Sequence, residues 1–216
     1  MREFIYFSSK ARTSGNFGEN LMEAGRMDIA CHVLINAFFL SHRIREDAKL
    51  HMIFYGMPDP PKHLEFFPSK KLGDTENQID TKKISDFRGA QKPKVIDISK
   101  RDVAGLIKKM LYKYKPGIKN EVAPGYWIEK KSLFAVIEEL KEQGKAVYVL
   151  DEKGKDIRDI KISEDCVFLL GDHEGLPAKE LKRLKKICVP VSVGNKVYFA
   201  SQVVTIVSNE LDRRGI

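Results

Sequence analysis

Asp59 stands between two prolines in the run Gly56-Met57-Pro58-Asp59-Pro60-Pro61. Proline on either side fixes the backbone, so the carboxylate is aimed, and an aimed carboxylate can take a proton from a substrate. The bland alternative is a turn-forming aspartate, which is common between prolines. Arg26 and Asp28 lie two residues apart, just ahead of an apolar stretch, and suit an orienting ion pair; on a surface such a pair contributes little. Arg43, beyond the far end of that stretch, is a second candidate arginine. Three short apolar runs then lead into three polar, glycine-bearing segments. Ala146–Leu150 runs into Asp151, Val167–Leu170 into Gly171-Asp172-His173-Glu174-Gly175-Leu176-Pro177, and Ile187–Val191 into Ser192-Val193-Gly194-Asn195. Gly171 lets a ligand approach the backbone, and Asp172 and Glu174 can accept from its hydroxyls or amines. His173 by itself suits a polar loop better than a catalyst. The Gly15-Asn16-Phe17-Gly18 segment has neither dinucleotide nor P-loop spacing, which speaks against both of those sites, although Arg12 and Asn16 can touch a phosphate.

The elements that must hold these residues follow from periodicity and punctuation. Glu3–Phe7 reads as a strand, Leu21–His42 as a long helix with Ile29, Val33, Ala37 and Leu40 on one face, and Leu50–Tyr55 as a second strand. Residues 69–94, rich in Lys, Asp, Gln and Gly, read as an exposed excursion. Ser99 caps a helix running to Tyr114, with Asp102 three residues on, and Tyr126–Ile128 reads as a short strand. Ser132 caps a helix that closes at Gly144, and an apolar helix, Ala200–Leu211, ends the chain. Strands alternating with helices predict an α/β fold with a mostly parallel sheet covered on both faces, in a single domain over 1–216. In such sheets ligands bind beyond the strand C-termini, so three converging turns can form one small-molecule pocket.

Composition narrows the partners. The chain has 216 residues, 43% apolar and 31% charged, with 38 Lys plus Arg against 30 Asp plus Glu, a formal charge of +8. A basic surface favours polyanions, nucleic acid first. Cys31, Cys166 and Cys188 each sit in an apolar segment with no CxxC spacing, as reduced buried thiols of a cytoplasmic protein do, and no metal site is expected. The start of the chain lacks a signal peptide's apolar region, and Ile29–Leu40 is too short to span a bilayer.

The paired loops carry a resemblance. A strand ending in GDHEGLP, a short helix, the strand ICVPV, a small-residue loop and an apolar terminal helix resemble the SPOUT superfamily of S-adenosylmethionine-dependent RNA methyltransferases. GRMDIACHVLINAFFLSHRIRED, FYGMPDPP, APGYW and FLLGDHEGLP together resemble, nearly end to end, the archaeal tRNA pseudouridine N1-methyltransferase family, which modifies position 54 in the T-arm. That resemblance implies a SPOUT-type fold with a C-terminal trefoil knot, a homodimer, tRNA as substrate and S-adenosylmethionine as cofactor. Carried over by position, it implies a cofactor site of Leu150, Asp151, Gly171, Asp172, and Cys188 through Asn195, including Val189, Val191, Ser192, Val193 and Gly194. Val189–Asn195 contains no lysine or arginine, which suits a positively charged sulfonium.

The acceptor implied is N1 of pseudouridine, a weakly acidic nitrogen that needs a base or stabilisation of charge on the ring carbonyls. Asp59 is the first choice for the base, with Arg26, Asp28 and Arg43 to orient it or hold a phosphate. Lys10, Arg12, Arg43, Arg45 and the KRLKK run at 182–186 are candidate phosphate contacts, and Tyr126, Trp127 or Tyr198 could stack on the extruded base. Two other readings keep the same fold: a methyltransferase acting on ribosomal RNA, and an RNA-binding protein without turnover.

Overall fold

The computed structural model describes residues 1–41, 43–67 and 98–216; the excursion expected over 69–94 lies outside the described residues. The elements are β1 (Arg2–Ser8), α1 (Met27–Phe38), β2 (Ala48–Phe54), β3 (Lys62–Phe66), α2 (Lys100–Tyr112), β4 (Asn120–Ala123), β5 (Tyr126–Glu129), α3 (Leu133–Glu142), β6 (Ala146–Asp156), β7 (Cys166–Leu170), α4 (Ala178–Leu184), β8 (Val189–Ser192) and α5 (Ala200–Arg214). They build one eight-stranded sheet in the order β4-β5-β3-β2-β1-β7-β6-β8. The run β2-β1-β7-β6-β8 is parallel, and β3, β5 and β4 add antiparallel strands at one edge. This is the expected α/β sheet, mostly parallel.

Both faces are covered. Phe4, Tyr6, Met52, Phe54 and Phe168 point to a core shared with α1, α2 and α5. Ile5, Phe7, Ile53, Val149 and Leu169, the alternate residues, point to a second core under α3 and α4. Continuous apolar strands such as Val167–Leu170 are needed because a central parallel strand has no solvent face. The three cysteines are free and buried. Burial pushes the Cys31 thiol up to about 12 and those of Cys166 and Cys188 to about 11, so they pack as small apolar groups. Among the described residues no helix is long and apolar enough to cross a membrane.

Several boundaries differ from expectation. The first helix begins at Met27, not Leu21, because Gly25 (φ 73°) and Arg26 (φ 61°) are left-handed and break the helical run. A Cβ on Gly25 would fall 1.8 Å from the Lys10 carbonyl oxygen. The strand β3, missed in the sequence, is buried at all five positions despite carrying Lys62, His63 and Glu65; its polar composition hid it. Strand β6 runs on to Asp156 through the polar segment after Leu150, so Val191 of β8 pairs with both Leu150 and Lys155. The last strand begins at Val189 rather than Ile187, and α5 reaches Arg214.

Candidate active site

Because β2, β1, β7, β6 and β8 are parallel, the turns after all five emerge at one end of the sheet. They fall into two groups. The turns after β6, β7 and β8 form one half, and the segments after β1 and β2 form the other.

In the first half, Leu150 and Val193 are half-buried apolar side chains, while Val191 and Ser192 are buried. The β8 turn is fixed locally. Ser192 Oγ donates to the Gly194 carbonyl (2.8 Å) and accepts from the Gly194 amide (3.1 Å). Gly171 faces its own loop, and a Cβ there would meet the Gly175 carbonyl carbon at 2.3 Å. Cys188 is buried against α3 and α4, whereas Val189 and Asn195 are exposed. Two carboxylates expected to meet a ligand are already committed. Asp172, buried, accepts from Ser8 Oγ (2.8 Å), Ser9 N (3.2 Å) and Glu174 N (2.9 Å), and so ties the β7 turn to β1. Asp151 pairs with Lys185 of the KRLKK run and accepts from Lys153 N at 3.2 Å. Burial raises the Asp151 carboxyl, but Lys185 outweighs it and holds the group below its ordinary range. The surroundings suit an adenosyl sulfonium ligand: apolar side chains, backbone groups at the strand ends, and no cationic side chain from Val189 to Asn195.

In the second half, three loops interlock. Arg12 N donates to the Ala24 carbonyl, Gly56 N to the Ala11 carbonyl, and Thr13 N to the Met57 carbonyl. Thr13 Oγ1 donates to the Gly56 carbonyl (2.8 Å) and accepts from Asp59 N (2.9 Å). An open groove of about 370 Å³ lies between these loops, lined by Ser9, Lys10, Arg12, Gly25, Tyr55 and Met57 among others. Arg26 and Asp28 form the expected pair, with Nε and Nη2 each 3.0 Å from one carboxylate oxygen. Burial raises Asp28, yet the bidentate arginine holds it below its ordinary value. Tyr6 is fully buried, and burial together with the Asp172 charge raises the pKa of its hydroxyl.

Asp59 is half-exposed and ion-paired with two lysines. Lys130 meets Oδ1, and Lys62 Nζ lies 2.7 Å from Oδ2 and 2.5 Å from the Asp59 carbonyl oxygen. Lys130 and then Lys62 hold the Asp59 carboxyl down at about 2. Lys62 is itself only 1% exposed and sits 4.0 Å above the ring of Tyr114. Neither lysine was singled out in the sequence. Lys62 had a signal, three residues past Asp59, but Lys130 lies 71 residues away and only the β3–β5 pairing brings it in.

Arg43 is not brought to this end. It lines a groove with Arg2, Arg45, Asp47 and Asp212, where β1 and β2 begin. Helix α1 carries the chain back along the sheet, and its 12 residues span about 18 Å, so Arg26 and Arg43 stand at opposite ends. Tyr126 packs against Phe66 in the core, and Lys119 lies over the Trp127 ring, which leaves Tyr198, 40% exposed, as the accessible ring of the three.

The family described as "Putative SAM-dependent RNA methyltransferase" matches this chain over residues 1–78 and 76–216. The chain is 32% identical over 225 residues to the tRNA (pseudouridine(54)-N(1))-methyltransferase of Pyrococcus abyssi, covering 100% of both. It is 30% identical over 217 residues to the enzyme of that name from Methanococcoides burtonii, covering 99% of this chain and 96% of the relative. The chain belongs to this family of methyltransferases. Its fold is also that of Archaeoglobus fulgidus Nep1, crystallised with S-adenosylhomocysteine, with a TM-score of 0.56 at 15% identity over 99% of each chain. That likeness is one of fold alone.

Proposed function

We propose that the protein transfers a methyl group from S-adenosylmethionine to N1 of the pseudouridine at position 54 in the tRNA T-arm. The observation that carries this reading is end-to-end kinship with enzymes of that name, in a chain whose two groups of turns share one end of the sheet. Leu150, Gly171 and the Val189–Asn195 segment hold the adenosyl group, with Asp151 and Asp172 fixing the turns from behind. The cofactor supplies an electrophilic methyl carbon on a sulfonium. A C-terminal trefoil knot and a homodimer belong to the same proposal. The double pairing of β8 with β6, where a Cβ on Gly154 would come 2.5 Å from Val191 N, supports a tightly threaded segment. Exposed Val197 (85%) and Phe199 (64%) ahead of α5 support a partner copy at that surface.

Asp59 accepts the N1–H of pseudouridine. A carboxylate held near 2 is a weak base, so it takes the proton late. Once N1 carried the methyl group its N1–H would be strongly acidic, and Asp59 would take that proton and pass it on to water. Lys62, buried, keeps the carboxylate in place, while Lys130, at the surface, can yield Oδ1 to the base and turn to a ring carbonyl. Arg26, oriented by Asp28 and next in sequence to Gly25 of the groove lining, contacts the base or its phosphate. Lys10 and Arg12 sit at the groove where phosphates would pass.

Incubating the enzyme and methyl-labelled cofactor with pseudouridine-bearing tRNA and ribosomal RNA, followed by nucleoside mass spectrometry, tests the reading. Label on N1 of tRNA pseudouridine 54 is the expected result. Label confined to ribosomal RNA, or RNA binding with no transfer to either, would replace it.

A further inference from the structure

Four side chains form a line across the sheet face beneath α3, one each from β1, β2, β3 and β5. Glu3 Oε2 lies 3.0 Å from His51 Nε2. His51 Nδ1 lies 2.9 Å from His63 Nε2, and His63 Nδ1 lies 3.0 Å from Glu129 Oε1. Glu3, His51 and His63 are all at most 3% exposed. The two rings are 21° from parallel with centroids 5.1 Å apart. At that spacing, with a 2.9 Å nitrogen–nitrogen contact, the rings meet edge to edge, as an N–H···N bond requires.

The three contacts need three hydrogens. Two ionised carboxylates supply none, and two neutral imidazoles supply one each. The carboxylates stay ionised. Burial raises Glu3, but His51 and Lys145 overcome it and hold Glu3 at about 2. Glu129 is likewise held below its ordinary range, against its burial, by His63. The third proton is therefore on a ring. Burial lowers His63 to about 4, so His63 keeps one proton, on Nδ1 facing Glu129, and its Nε2 lone pair accepts. His51 then donates through both nitrogens.

We propose that His51 and His63 are a proton-sharing pair holding three ring protons at neutral pH, a buried cation that fastens β1, β2, β3 and β5 to one another. The surrounding charges fit it. Glu65, opposite His51 on β3, adds a carboxylate, itself neutralised by Lys49 and Lys119 at 2.7 Å each. Lys145 pairs with the outer oxygen of Glu3, and Lys131, before α3, lies 3.5 Å from Glu129 and also meets Glu139 on α3. A metal ion does not fit equally well. His51, His63 and Glu65 offer three ligand atoms within 4.8 Å of one another, but zinc needs about 2.0 Å to each nitrogen, and two nitrogens head-on at 2.9 Å leave no room between them. Loss of the third proton would set two lone pairs against each other in a buried site.

The inference is independent of methyl transfer. Nitrogen NMR of the full chain with ¹⁵N-labelled histidine counts the protons without any variant. At pH 7 the pair should show three protonated ring nitrogens and a scalar coupling between His51 Nδ1 and His63 Nε2. His51→Gln and His63→Gln should each abolish that coupling, and their losses in melting temperature should add to more than the loss in the double variant. Two protonated nitrogens with no coupling would overturn the proposal, as would zinc(II) shifting both inner nitrogens at stoichiometric ratio.

Discussion

At the scale of single residues, proton removal depends on Asp59 being ionised and placed, not strongly basic. Asp59→Ala should lower turnover by about 10²-fold or more while cofactor affinity, measured by calorimetry, changes less than about twofold. The pH dependence follows from the same lysines. A carboxylate held near 2 remains ionised as pH falls from 7 to 4, so the wild-type turnover should show no acid limb from Asp59 in that window. Replacing Lys62 and Lys130 together by methionine returns Asp59 toward the ordinary carboxylate range near 4, and turnover should then fall as pH drops from about 5.5. An unchanged profile in that variant would remove the lysine clamp from the mechanism. Asp59 was visible in the sequence because its two prolines mark it. Its control was not, since charge neighbours across strands are set by sheet register, which spacing along the chain does not encode. The same limit explains Asp172. Its type suggested a ligand contact, but Ser8 and Ser9, 164 and 163 residues away, occupy it.

At the scale of elements, the site depends on β6 and β8 passing each other closely. A Cβ on Gly154 would come 2.5 to 2.7 Å from three backbone atoms of Val191, and backbone cannot give way as a side chain does. Gly154→Ala should therefore cost cofactor affinity at least about tenfold and lower the melting temperature, whereas Gly105→Ala, on an exposed helical position with open space around it, should lower neither. The apolar strands β1, β2 and β7 and the capped helices α2 and α3 were legible from periodicity and from Ser99 and Ser132, both of which cap through their side chains. Strand β3 was not, because Lys62, His63 and Glu65 read as loop residues until their partners, on β2 and β5 among others, are known. The helix start was misplaced for a related reason: Arg26 at φ 61° is a strained exception that residue type does not announce.

At the scale of the whole molecule, two properties follow. Buried groups shifted downward make the fold acid-sensitive. An unfolded histidine takes a proton near 6.5, but folded His63 does so only near 4, so the unfolded chain binds more protons between those values. Stability should fall as pH is lowered through that window. It should fall further below 4.5, as the stabilisation from Glu3 and Glu65, both held at about 2, is lost. Urea midpoints at pH 7, 5.5 and 4.5 should decrease in that order with little change in slope. The second concerns the proposed homodimer. Val197→Glu with Phe199→Glu should yield a monomer in light scattering and reduce turnover, while a variant that stays dimeric would move the interface elsewhere.

The most direct test of the central claim is a crystal structure with S-adenosylhomocysteine bound. Adenine should lie against Leu150 and the Val189–Asn195 segment, with the sulfur facing the loops that carry Asp59 and Arg26. Electron density for the ligand at the opposite end of the sheet, beside Arg43, or an adenine seated in the groove between Lys10, Gly25 and Met57, would contradict it.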